Sequence, residues 1–557
     1  MTTTARRDSI GHVTKAHVNL MTDTIIANLP LDGLRSVMRS VLTTDPLFTS
    51  AFEAHTRKYL QKATVPTPEE FFACNEELGW HTTPSFDQAQ QLVRAGLGCG
   101  LVFESLQQIR LIVDQAAYVL IDPTSTGGQK LASRLISVDG DIVQAITAVQ
   151  KALNEPTGQR GLTLAEQADI GSLYQSLLRC YDVWTRNNQE FFLDRSLSLV
   201  AEVSGQYHPQ DSSIEDAPTS ITNSYDGSLI ETFELSGVAL PRLFSGLWQL
   251  SSPSWGVASR AKIFQQFSTF VHKGYTAFDM ADHYGDAEIL FGQFRSSYPQ
   301  KQLLFGTTKY CVFHPLTITE KVVQDNVSER CQRLKSSSID LLQFHWQFYD
   351  DPQYIEALQF LQKDPRVKLL GLCNFDTQRM QEILDAGVNI VTNQVQFSLI
   401  DSRPAFKMGA VCEKYGIKLL TYGTLCGGFL AEKWLGKPEP KLFADDMTPS
   451  QRKYFEMIQA WGGWELFQEL LQVLKEVADK HGVAMANVAT RWVLDFPYVG
   501  AVIIGARMGV SEHCDQNLAS YGWSLDQEDH VAIDGILAKS RREEIFDVMG
   551  DCGGEYR

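Results

Sequence analysis

A chain of 557 residues with 44% hydrophobic content is too long for one ordinary domain and can fill large cores. A formal charge of −17 and a pI near 5.2 argue against non-specific nucleic-acid binding and against docking on anionic membranes. Ten cysteines without a CxxC pair suggest neither a zinc ribbon nor a disulfide framework, so reduced thiols in the cytoplasm are expected.

Residues 1–24 read as a flexible tail, polar at the start and without the apolar centre of a signal peptide. The most apolar stretch, 109–121, carries Arg110, Asp114 and Gln115 and is too short and too charged to span a bilayer. Residues 25–208 read as a mainly α-helical accessory domain. Leu34, Val37, Met38, Val41 and Leu42 recur at the spacing of one buried helix face. Asp141 is expected to cap a helix whose face is Ile142, Ile146, Val149 and Leu153. Thr163-Leu164-Ala165-Glu166 is a capping box ahead of Leu173, Leu177 and Leu178. Gly96-Leu97-Gly98-Cys99-Gly100 misses the GxGxxG spacing and follows no clear strand, so it reads as a turn before a helix, with Cys99 a small buried residue. This half offers no convergent polar set and suits self-association or a protein partner.

Residues 209–229 are rich in Asp, Ser, Thr, Pro and Asn, which is linker chemistry. Beyond it, over 230–545, strands alternate with helices. Apolar strands are expected at 243–248, 275–279, 303–308, 339–344, 367–373, 390–396, 417–422 and 501–504. Eight buried strands alternating with helices predict an α/β fold, a (β/α)8 TIM barrel, with 546–557 as a C-terminal tail. A doubly wound open sheet is the alternative, and it lacks a glycine fingerprint at its first turn.

In such a barrel all strand ends open on one face, so residues distant in sequence meet. Asp279, Tyr284, Lys309 and His345 lie at or just beyond strand ends. A phenol titrates near ~10, and a neighbouring ammonium is expected to lower that value, with a carboxylate holding the lysine charged. The set could pass a proton to or from a carbonyl oxygen that His345 orients. His283 reads as a wall residue, and Asp282 and Glu288 as turn or cap residues; no metal site is suggested.

These residues carry a resemblance. The stretches Phe278-Asp279-Met280-Ala281-Asp282-His283-Tyr284-Gly285, Thr308-Lys309, Ile339-Asp340-Leu341-Leu342-Gln343-Phe344-His345-Trp346, Gly371-Leu372-Cys373-Asn374-Phe375, Asn393-Gln394-Val395 and Ile503-Ile504-Gly505-Ala506-Arg507 resemble the aldo-keto reductase superfamily in content and order. The resemblance covers about 230–540 and leaves the first two hundred residues unassigned. It implies hydride exchange between a nicotinamide cofactor and an aldehyde, ketone or sugar carbonyl. Tyr284 would be the proton donor, Lys309 its partner, Asp279 the support for the lysine and His345 the orienting group. Asn374 and Gln394 would hold the carboxamide, Tyr422 the nicotinamide ring, and Gly423, Leu425 and Gly427 the pyrophosphate. Arg507, just before a helix expected near Ser511, would meet the adenosine 2′-phosphate, and Asn517 the adenine. Trp248 and Trp346 would line the substrate pocket. The sequence departs from the family at Cys373, where serine is usual, and at His513, where many NADPH-preferring members have arginine. NADP(H) is expected, with NAD(H) the alternative. An oxidative aldose 1-dehydrogenase and a cofactor-sensing auxiliary subunit are the rival readings. The short stretch after Leu537 implies that no long C-terminal loop grips the substrate.

Overall fold

From residue 243 onward, short apolar runs alternate with amphipathic helices, and the runs pair as strands. They are β1 (Leu243–Gly246), β2 (Ala277–Asp279), β3 (Phe305–Val312), β4 (Ile339–Trp346), β5 (Val367–Cys373), β6 (Thr392–Gln396), β7 (Lys418–Tyr422) and β8 (Val499–Gly505). All pair in parallel in chain order, and β8 returns to β1, closing the expected barrel. This computed structural model describes residues 20–75, 78–155, 158–159, 161–205, 230–444 and 446–556. The linker expected over 209–229, and the first nineteen residues of the expected tail, lie outside the described residues; α1 (Leu20–Asn28) takes up the rest of that tail.

Side chains alternate across a strand, so one residue in two faces the barrel interior. Phe244, Ala277, Phe305, Leu341, Leu420 and Ala501 form one buried apolar cluster inside it. A hairpin of Thr232–Leu235 and Val238–Pro241 adds Leu235 and Leu240 to that cluster. Two and four residues further along the same strands the interior turns polar, with Asp279, Thr307, Lys309, Gln343, His345 and Tyr422. The opposite parity, such as Phe344, packs into the larger core shared with the surrounding helices.

The N-terminal half is helical. After α2 (Leu31–Leu42) and α3 (Pro46–Leu60), the segments α4 (Pro84–Gly98), α5 (Val102–Ala116), α6 (Thr126–Ala152), α7 (Leu164–Arg186) and α8 (Asp194–Ser204) enclose a second core that includes Leu106, Ile146, Leu173, Leu177 and Trp184. Thr163 and Glu166 form the expected capping box at the start of α7. The turn between α4 and α5 holds Gly100 at φ 81°, with Cys99 buried beside it. Two expectations fail. The α2 face is not buried: Val37, Met38 and Val41 are 49%, 40% and 41% exposed. Periodicity marks a face but cannot supply a partner for it. Asp141 caps nothing, because α6 begins well before it; its carboxylate instead takes Arg94 Nε at 2.8 Å and Gln90 Nε2 at 2.7 Å. Among the described residues no helix is long and apolar enough to cross a membrane.

The two halves touch. In the barrel, α9 (Arg260–His272), α10 (Ala287–Ser297) and α11 (Glu320–Arg333) follow β1, β2 and β3. Ile289 of α10 belongs to the core of the helical half. At Gly140 of α6 a Cβ would fall 2.4 Å from Val257 Cγ1, so the helix reaches the loop after β1 only because it has no side chain there.

Candidate active site

Asp279 ends β2 in the barrel interior, and both its oxygens are used. Oδ2 accepts from Lys309 Nζ at 2.7 Å; Oδ1 accepts from Thr307 Oγ1 at 2.7 Å, Gln394 Nε2 at 2.7 Å and Gln343 Nε2 at 3.1 Å. Lys309 also donates to the Met280 carbonyl at 2.8 Å, and its Nζ lies 4.7 Å from the centre of the Tyr284 ring. Burial disfavours the Lys309 ammonium, but Asp279, Tyr284 and Cys373 together outweigh it and the pKa stands above the ordinary lysine range. Tyr284 follows β2 on a tight turn whose next residue, Gly285, has φ 62°. The expectation of a lowered phenol pKa fails. Burial raises it, Lys309 lowers it by less, and Asp279 raises it again, so the phenol stays protonated. Asp279 offsets part of the ammonium's pull on the phenol.

His345, near the end of β4, joins this set through aromatic neighbours. Its ring centre is 5.7 Å from Phe313 and 5.6 Å from Tyr556, and His283 stands 4.7 Å from Tyr284 and 4.9 Å from Phe313. Asp279, Tyr284 and Lys309 are thus brought together, with His345 linked to Tyr284 through the rings of Phe313 and His283, and Thr307, Gln343, Phe313 and Tyr556 join them unannounced. Thr307 and Gln343 had a signal, being polar at inward positions of β3 and β4. Tyr556 had none, since it lies at the far end of the chain.

The residues expected around a cofactor sit along the same rim. Asn374 adopts φ 58°, a left-handed conformation that asparagine tolerates, and donates its backbone N–H to Gln394 O at 2.8 Å. Tyr422 donates its hydroxyl to Asn374 Oδ1 at 2.9 Å. A phenol has one proton, so in the 2.9 Å contact with Tyr422 it is Tyr556 that donates, while Lys453 Nζ donates to Tyr556 at 3.3 Å. Gly423 (φ 73°) and Gly427 (φ 63°) bend the loop after β7 around Leu425, and a Cβ at Gly423 would fall 2.4 Å from the Tyr454 hydroxyl. Residues 546–556 are therefore no plain tail. Arg403 holds Glu555 at 3.0 and 3.1 Å, which carries Tyr556 onto the mouth.

Of the remaining expected residues, Trp346 and Glu288 depart from expectation, as does the helix expected near Ser511. Trp346 is fully buried on the outward parity of β4, stacked with Phe344 and donating to Phe348 O at 2.7 Å, so it does not line the mouth. Trp248 is 39% exposed and packs 4.6 Å from Trp255 on the loop after β1. Arg507 is exposed, with Nε donating to Ser511 Oγ at 3.3 Å. The helix after it spans only Cys514–Leu518, too short and too late to add the N-terminal pull expected near Ser511. Asn517 lies in that helix with its side chain against the Tyr275 hydroxyl. Glu288 is no cap: fully buried in α10, it accepts from Thr308 Oγ1 at 2.5 Å and Arg333 Nε at 2.8 Å and pairs with Arg330 at 3.1 Å. Asp282, His283 and Cys311 bring ligand-type atoms within 4.8 Å of one another. Asp282, however, accepts the Cys311 N–H at 2.8 Å and pairs with His283 at 3.0 Å, with the Arg330 guanidinium 3.7 Å away. A cation already neutralises that carboxylate.

Known proteins are similar to parts of this chain. Flagellar radial spoke protein 5 of Chlamydomonas reinhardtii is 38% identical over 138 residues, 24% of this chain; the match spans 26% of that protein's length. Aldo-keto reductase YhdN of Bacillus subtilis is 24% identical over 54% of this chain and 91% of its own. Among solved structures, a glycerol dehydrogenase of Gluconobacter oxydans is 25% identical, covering 56% of this chain and 96% of its own with a TM-score of 0.47. The profile of the Aldo/keto reductase family matches residues 242–538, more than half of the chain and the whole barrel. The chain belongs to the aldo/keto reductase family of oxidoreductases.

Proposed function

We propose that the barrel mouth reduces a small aldehyde, ketone or sugar carbonyl with NADP(H), Tyr284 giving the proton to the carbonyl oxygen. The observation that carries this reading is the Asp279–Lys309 pair set beneath a phenol that burial keeps protonated. Two of the three lysine donors are spent on Asp279 and Met280 O. The third would serve the phenol oxygen as its proton leaves. His345 would orient the carbonyl oxygen. A protonated phenol is the form that gives its proton in reduction; the oxidative alternative would begin from the phenolate.

The residues present suit a nicotinamide cofactor, which when bound supplies the hydride. Asn374 and Gln394 would hold its carboxamide. Gln394 already gives its amide protons to Asp279 and Gln343 (3.1 Å), so its Oε1 is the acceptor on offer. Tyr422 would face the ring. The loop at Gly423, Leu425 and Gly427 has no room for a side chain at Gly423, which suits close backbone approach of a pyrophosphate. The exposed Arg507 would meet a 2′-phosphate, which favours NADP(H) over NAD(H). Tyr556 narrows the mouth beside His345, which supports a small substrate.

The test is NADPH oxidation with a panel of aldehydes, ketones and aldoses, wild type beside Tyr284→Phe. The variant is expected to lose about two to four decades of kcat while binding NADPH as before. A variant as fast as the wild type would remove Tyr284 from the role. Tight cofactor binding with no turnover by either protein would put the cofactor-sensing reading in its place.

A further inference from the structure

We infer that the helical half is a working part of the catalytic site, its Arg195 acting through Asp286 as a positioning residue that fixes the turn bearing Tyr284. The inference rests on Tyr284 being the proton donor proposed above.

Tyr284, Gly285 and Asp286 form one turn. Tyr284 N–H donates to Ala281 O at 3.1 Å, and Ala287 N–H donates to Tyr284 O at 3.1 Å. Asp286 therefore cannot shift far without carrying Tyr284 along. Asp286 stands at the N-cap of α10, where an aspartate normally accepts from the helix's own free N–H groups. Here its side chain makes no such bond. Both its oxygens meet Arg195 of α8, at 2.9 Å from Nε and 2.7 Å from a terminal nitrogen, and each side chain is 2% exposed. A cap has been given up for a two-pronged bond to the other half of the molecule. Such a bond adds little net stability when both ions must be stripped of water, but it fixes direction as well as distance.

The same turn is gripped a second time. Arg333 donates to Gly285 O at 2.6 Å and reaches Glu202 of α8 at 3.4 Å. Helix α8 thus brackets the turn, directly through Arg195 and indirectly through Glu202. Behind it, Val143 of α6 would lie 3.4 Å from a Cβ at Gly285. The other charges around Arg195 are Asp139, and Asp194, which itself pairs with Arg260 at 3.2 Å.

The experiment uses the full chain with a fluorotyrosine placed at position 284, as wild type, Arg195→Met and Arg195→Lys. Arg195→Met is expected to lower kcat about 10- to 100-fold through misplacement of the phenol. Its NADPH dissociation constant should stay within about twofold, as for loss of an interaction that matters only in the transition state. The fluorine resonance should broaden or split. Arg195→Lys, which can hold one carboxylate oxygen but not both, should fall between. A folded Arg195→Met with wild-type kcat and an unchanged resonance overturns the inference, as does a joint loss of kcat and NADPH affinity with the resonance unmoved. If Arg195→Met does not fold, Arg195→Lys decides: an unaltered kcat and resonance there overturn it equally. If the wild type reduces no carbonyl, the proposed function fails, and the fluorine resonance alone still decides whether Arg195 orders Tyr284.

Discussion

Asp279 and Asp286 flank Tyr284 in sequence and are equally buried, at 2% exposure, yet the barrel interior and the junction between the halves treat them differently. Inside the barrel, Asp279 shares one ammonium with three uncharged donors from three other strands. At the junction, Asp286 faces one guanidinium in two parallel bonds. The first arrangement spreads the solvation of a buried charge over several partners, so the loss of one leaves others. The second concentrates it in a single partner and gains orientation in return.

The comparison breaks or holds on stability. Arg195→Met should cost about 3–5 kcal/mol, because it strands Asp286 without its counter-ion in a dry junction. Lys309→Met should cost about 1–3 kcal/mol, since Thr307, Gln343 and Gln394 still donate to Asp279. Urea denaturation of both variants gives the order directly. A larger loss for Lys309→Met would show that distributed donors do not stand in for a lost cation.

A second effect separates the halves by pH. Burial pushes the Asp139 carboxyl up to about 7, opposed by Arg195 and reinforced by Asp194. It accepts from Ser196 N–H at 2.8 Å. A carboxyl raised in the folded state contributes stability that is complete below its unfolded value near ~4 and is lost as pH rises through the folded one. The helical half should therefore weaken between about pH 4 and pH 7. Lys309 is raised too, but from the ordinary lysine value near ~10.4, so its contribution persists until the pH passes that value and the barrel should not follow. Hydrogen exchange resolved by segment at pH 5 and pH 8 distinguishes the two, and Asp139→Asn should flatten the slope in the helical half. A parallel slope in both halves would count against Asp139 as its source.

Legibility in the sequence follows the same division. The barrel strands were readable because each is a short apolar run bounded by turns, and the polar residues ending them stand out where packing would prefer Leu or Val. Asp279, Lys309, His345 and Gln394 share that signature. Trp346 misled because an aromatic beside His345 suggests a pocket, whereas the period of two turns it outward. Arg195, Asp286, Glu288 and Arg333 were opaque for another reason. A charged residue on a helix reads as solvated surface until a second body covers it, and nothing local states which residues another half will cover. The α2 face failed in the converse way, since its spacing names no partner. Tyr556 reaches the mouth from the far end of the chain through Arg403 and Glu555, and no sequence interval encodes that return.

The mildest test asks whether the helical half acts on the mouth through the junction alone. Thr163 caps α7 by accepting Glu166 N–H at 3.3 Å, while Glu166 accepts Thr163 N–H at 2.8 Å. Thr163→Ala should cost about 0.5–2 kcal/mol, since the first turn of α7 loses an acceptor for one of its free N–H groups. Hydrogen exchange should quicken in that turn, and kcat should not move, because α7 does not touch the Tyr284 turn in the way α8 does. Arg195→Lys, by contrast, keeps the buried charge yet is expected to lower kcat. If Thr163→Ala slowed turnover as much as Arg195→Lys, the helical half would be acting through its overall stability, and the particular bond between Arg195 and Asp286 would lose its claim.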